Sequence, residues 1–117
     1  MTISQPYVSS GTVSTTEYSL PNVGNYSAAN AITTDGVYQM FIGVNNIASG
    51  DQFQFKIYEK VYTAGPQYVV YQADLVGPQS PPVLIFPSLV LVNGWDVTIK
   101  KITGTDRSFT WSIRSVA

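Results

Sequence analysis

The sequence predicts an all-β fold: an antiparallel two-layer β-sandwich, jelly-roll-like or Ig-like in outline, with an extended N-terminal arm. Three observations carry that expectation. From residue 35 onward, apolar residues recur with a period of two rather than 3.6. Clusters of Gly, Pro, Asn, Asp and Ser separate the apolar runs at short intervals. No stretch carries the one-sided apolar stripe of an amphipathic helix. With 117 residues, 44% of them hydrophobic, the chain can close one core without staples and has room for one domain.

Residues 1–34 read as the arm. They are rich in Ser, Thr, Asn, Gly and Ala, carry a single charge at Glu17, and space their apolar residues thinly. Only 12–20 suggests a strand, and the segment as a whole reads as an interaction element.

The sandwich is expected over 35–117. In 37–45, Tyr38, Met40, Ile42 and Val44 share one face, and Val37, Gln39, Phe41 and Gly43 the other, which predicts a strand buried on much of both faces. In 52–62, Phe53, Phe55, Ile57 and Val61 oppose Gln54, Lys56, Tyr58, Lys60 and Tyr62, as in a half-solvated strand. Another strand is expected at 67–75, where Val69, Tyr71, Ala73 and Leu75 oppose Tyr68, Val70, Gln72 and Asp74.

The run at 83–92 is apolar except at Pro87 and Ser88, so it predicts two short strands or one edge strand bent at the proline. Trp95, Val97 and Ile99 then align on one face. In 107–115, Phe109, Trp111 and Ile113 alternate with Ser108, Thr110, Ser112 and Arg114. Turn chemistry falls between these runs at Asp35-Gly36, Ser49-Gly50-Asp51, Gly65-Pro66, 77–82, Asn93-Gly94 and 103–106. Asn93-Gly94 predicts a two-residue hairpin, because both central positions of a type I′ turn need positive φ.

Composition excludes much chemistry. The chain has no histidine and no cysteine, which removes the commonest general base, the commonest transition-metal ligand, thiolate nucleophiles and disulfides. No cofactor or metal is expected. The acids are Glu17, Asp35, Asp51, Glu59, Asp74, Asp96 and Asp106; Asp35, Asp51 and Asp106 sit in expected turns, where Asp bonds its own backbone. Neither calcium-loop nor SxxK spacing is present. A net charge of −1 provides no basic footprint for nucleic acid, and no apolar run of membrane-spanning length or N-terminal signal pattern occurs. No membrane partner is expected.

Charged residues make up 11% of the chain, against about a quarter in an ordinary soluble domain. Protein interfaces are poor in Lys, Glu and Asp and rich in aromatics, so the deficit, together with eight tyrosines, predicts that much of the surface is covered in the working state. The candidate anchors in the arm are Ile3, Pro6, Tyr7, Val8, Val13, Tyr18 and Leu20. A second candidate patch is Lys56, Tyr58, Lys60 and Tyr62, on the polar side of their strand. Trp111 reads as a core residue from its alternation, while Trp95 could be core or exposed.

The segments TDGVYQMFIGVNNIASGDQFQFKIYEKV (34–61), VVYQADL (69–75) and GWDVTIKKITGTDRSFTWSIR (94–114) resemble a family of small β-sandwich structural proteins of tailed bacteriophages. The order TDGVY, GD, IYEK, GWDxT and TGTxRxFxWSIR carries the likeness, over residues 34–117. The resemblance implies a non-enzymatic virion component, and the small size a capsid cement or decoration protein. It would assemble in the host cytoplasm, bind the major capsid protein on the outer capsid surface, form a homotrimer, and staple neighbouring capsomers through an extended terminus. Deleting residues 1–20 should then abolish capsid binding and leave the 35–117 fold intact. The alternative is a carbohydrate- or receptor-binding β-sandwich, such as a head-fibre or tail accessory protein.

Overall fold

A computed structural model describes residues 3–116. Its strands are β1 (Ile3–Val13), β2 (Tyr18–Ser19), β3 (Gly24–Asn25), β4 (Gly36–Gly43), β5 (Gln52–Lys60), β6 (Gln67–Val76), β7 (Val83–Leu91), β8 (Asp96–Thr103) and β9 (Arg107–Val116), with one 3-10 turn at Ala28–Asn30. They form two antiparallel sheets. The front sheet has the order β1-β9-β4-β7, and the back sheet β3-β2-β8-β5-β6.

The expected sandwich is present, and its strand order is that of a jelly roll. The first strand pairs with the last, β2 with β8, β4 with β7 and β5 with β6. The chain is thus one long antiparallel ribbon folded about the β5–β6 turn and rolled so that successive pairs fall in opposite sheets. Inward positions of both sheets fill the core, which includes Tyr38, Met40, Ile42, Phe53, Phe55, Ile57, Trp95, Val97, Ile99, Phe109, Trp111 and Ile113.

The segment read as a separate arm is part of this core. β1 pairs with β9 from Ile3 to Val13, and Val13 and Leu20 are fully buried. Farther along, Ile32 makes a bridge to Trp95. The expected strand at 12–20 is replaced by β1 and the two-residue β2. Polar composition hid β1 because its inward side is deliberately small: a Cβ on Gly11 would lie 2.8 Å from Tyr18 Cζ and 3.4 Å from the Trp111 ring. Ser9 and Gly11 make room for two large aromatics, so the strand lacks the apolar alternation that would announce it.

Two further expectations change. Asn93-Gly94 is not a hairpin, although Gly94 does take φ +50: β7 and β8 lie in different sheets, so the turn is a crossover. The Glu59 carboxylate holds this crossover by accepting from the Val92 and Asn93 amides at 2.6 and 2.9 Å. The 83–92 run is one edge strand whose register shifts where Pro87 and Ser88 face Gln39, and Gln39 Nε2 donates to the Pro87 carbonyl at 3.0 Å.

Candidate functional site

The outer face of the front sheet combines exposed apolar side chains with almost no charge. Strands β1, β4 and β7 contain no charged residue, and β9 contains only Arg107 and Arg114. The ladder registers place Ile3, Val116, Val37 and Val90 in one row across all four strands, pointing outward. Four residues along β4 and β9 lies a second row, Val8, Ser112, Phe41 and Ile85, beyond an intervening Arg114–Gln39 pair.

Most of these side chains are open to solvent, Val90 being 69% exposed, Ile3 63% and Val8 57%, while Phe41 and Ser112 are half-buried. Residue 37 therefore belongs to a solvent face, where the sequence predicted burial on both sides of β4. The guanidinium of Arg114 lies 3.9 Å from the centre of the Phe41 ring, a cation–π contact that leaves one positive charge on an otherwise neutral face. Shallow hollows of about 310 and 240 Å³ flank this pair, one floored by Gly43 and Thr110, the other by Gln39 between Ile3 and Pro87. The face can grip another surface by apolar contact and one cation. Among the described residues, its four strands contain no carboxylate.

The back sheet places its polar groups differently. Glu17 accepts hydrogen bonds from Tyr58 Oη at 2.6 Å and from the Thr98 hydroxyl. Ser19 Oγ and the Val97 amide donate to Asp96 Oδ1 at 2.6 and 2.8 Å. Tyr26 stacks on Tyr58 with ring centres 4.6 Å apart and donates to Gln67. Burial pushes the Asp96 carboxyl up to about 6, against the hydrogen bonds from Ser19 and Val97, which favour its ionised form. Burial and the neighbouring Glu17 raise the Tyr58 hydroxyl as well. Asp96 is fully enclosed, so this carboxylate cluster fastens the 17–26 segment to the sheet and offers no open site. Among the described residues, no group of three or more acids gathers to hold a metal ion.

The sequence-derived candidates divide accordingly. Ile3 and Val8 join the exposed front face, and Pro6 lies exposed where the β1 register shifts. Tyr7 packs edge-on to Trp95 at 5.8 Å, and Tyr18 edge-on to Trp111 at 5.8 Å. Val13 and Leu20 are core residues, closed to any partner. Lys56, Tyr58, Lys60 and Tyr62 do not make one open patch: Tyr58 lies under Tyr26, both lysines are half-buried, and Tyr62 alone is well exposed. Trp95 and Trp111 are both buried.

Sequence reasoning missed Val37, Phe41, Ile85, Val90 and Val116 as residues of the outer face. The signal was the low overall charge, which the fold concentrates on one sheet. No family model matches the chain, and no curated protein matches it. Among solved structures, the crystal structure of Yersinia pseudotuberculosis-derived mitogen (YPM) is similar over 99% of this chain and 86% of that one, with a TM-score of 0.51 and 11% identity. At that identity the likeness is one of fold alone.

Proposed function

We propose that the protein is a non-enzymatic structural component of a tailed-phage virion, a capsid cement or decoration protein that lays the outer face of its front sheet on the major capsid lattice. The observation that carries this reading is the concentration of exposed apolar side chains on a sheet face with one charge. The motif resemblance over 34–61, 69–75 and 94–114 supplies the virion context.

Size is consistent with a lattice binder. Four strands about 4.8 Å apart and about 30 Å long offer roughly 500 Å² a side, or roughly 1,000 Å² in all, near the lower bound for a specific interface. Such a contact is weak singly and becomes strong when several copies engage a repeating lattice together. Arg114 calls for a carboxylate on the capsid side. A sugar-binding alternative would have no tryptophan to stack on, since both are in the core.

The test is co-sedimentation with shells assembled from the major capsid protein of the same virion. Val37→Asp with Phe41→Asp should lower binding more than tenfold while the melting temperature holds, and Lys56→Glu on the back sheet should bind as the parent does. Parental binding by the front-face variant would overturn the assignment.

A further inference from the structure

An open sandwich has four edges, and three of these are blunted. β1 carries Pro6 where its register shifts, β7 carries Pro87 and is preceded by Pro81 and Pro82, and β3 is two residues long. Prolines, bulges and short strands are the usual protections against edge pairing. β6 is ten residues long and has neither proline nor lysine. Its protections are the single carboxylate of Asp74 and a register shift opposite Ile57 and Tyr58, which leaves Val70 unpaired and Tyr71–Val76 as a regular edge. Among the described residues, the backbone of Tyr71–Leu75 makes no hydrogen bond beyond the β5 ladder.

We infer that β6 is completed by β6 of a second copy, the two strands running antiparallel about a two-fold axis at Ala73. The register follows from the side chains. Antiparallel neighbours must point to the same side, so only residue-centred registers are allowed. Centring on Asp74 would set the two carboxylates against each other, and centring on Gln72 would set Asp74 against the unpaired Val70.

Centring on Ala73 pairs Tyr71 with Leu75, Gln72 with Asp74 and Ala73 with itself, each heterogeneous pair occurring twice. The smallest side chain sits at the axis, each carboxylate meets an amide donor, and each half-exposed Tyr71 gains an aliphatic cover. Tyr71 already lies edge-on to Phe86 at 5.1 Å, so its ring is held in place for that contact. The pairing joins two back sheets into one continuous sheet and leaves both front faces free, so it is independent of the capsid reading. It is two-fold, whereas the resemblance implied a trimer.

Three measurements test it. Sedimentation of the unmodified chain at about 100 μM should give a dimer; a monomer or a trimer overturns the inference. Because the chain has no cysteine, Ala73→Cys introduces a single thiol, and paired antiparallel residues stand close enough for a disulfide. Oxidation should link Ala73→Cys into dimers and leave Thr110→Cys, on the front face, unlinked; the reverse pattern overturns it. Gln72→Glu opposes Asp74 of the second copy yet faces Lys56 within its own sheet, so the fold should hold while the dimer weakens about tenfold. Gln72→Lys should tighten it. Equal dimer affinities for the two variants would refute the register.

Discussion

Asp51 and Arg107 meet at 2.8 Å, and the same carboxylate binds two backbone amides, Ala48 at 2.9 Å and Thr105 at 3.1 Å. The Asp51 carbonyl also accepts from Gly77 at 2.9 Å. One turn residue therefore gathers the β4–β5, β6–β7 and β8–β9 connections at one end of the sandwich. Gly104 completes the arrangement: it takes φ +100, and a Cβ there would stand 2.7 Å from Asp51 Cα.

Asp51→Asn should lower the melting temperature well beyond the change in Asp106→Asn, whose partner Lys101 is held by a half-exposed carboxylate. Gly104→Ala should also destabilise, through both φ and the clash. Thermal denaturation followed by circular dichroism would rank the three, and equal melting points for the two Asp variants would contradict the role given to Asp51.

Acidity should have two opposed effects. Burial raises Asp96 to about 6, above the 3.8 of an ordinary aspartate, so the folded chain holds that proton more tightly than the unfolded chain. This contribution is full below about pH 4 and is lost as pH rises through 6, with a magnitude on the order of 3 kcal/mol. The amides of Ala48 and Thr105 together with Arg107 hold Asp51 down to about 2, so its contribution is present above 3.8 and lost as pH falls toward 2. Stability should peak near pH 4. In urea titrations from pH 3 to 8, Asp96→Asn should flatten the alkaline side of that peak; an unchanged profile would rule out Asp96 as its source.

Removing residues 1–20 should unfold the chain. It deletes the strand paired along β9 and the buried Val13 and Leu20, worth about 2–3 kcal/mol each before the ladder is counted, from a domain expected to be stable by about 5–15 kcal/mol. A dispersed NMR spectrum from residues 21–117 would contradict this.

Gly11→Val should destabilise by about 1–3 kcal/mol, since the added atoms displace the Tyr18 ring from its edge-on seat against Trp111. Coupling this substitution with Tyr18→Phe should recover part of the loss, because the Tyr18 hydroxyl is the nearest obstacle.

Much of the back half of the fold was legible because large side chains alternate there: Phe53, Phe55 and Ile57 on β5, and Phe109, Trp111 and Ile113 on β9, all face inward as their spacing predicts. β1 was illegible because Ser9 and Gly11 occupy inward positions beside Trp111 and Phe109. The crossover at Asn93-Gly94 had hairpin chemistry without a hairpin, since a two-residue dipeptide specifies local φ and not which sheet the next strand enters. The front face was misjudged at Val37 and Phe41 for a related reason: apolar residues on both sides of a strand signal burial only if something packs on the second side.

The nested pairing also dictates when the protein can take shape. β9 lies between β1 and β4, so until Arg107–Val116 has left the ribosome the front sheet holds only the β4–β7 pair, and the first strand made has no partner. Among the described residues, the β5–β6 hairpin is the one long pairing formed by neighbours in sequence. Folding should therefore wait for β9 and close from the β5–β6 hairpin outward, with β1 docking last.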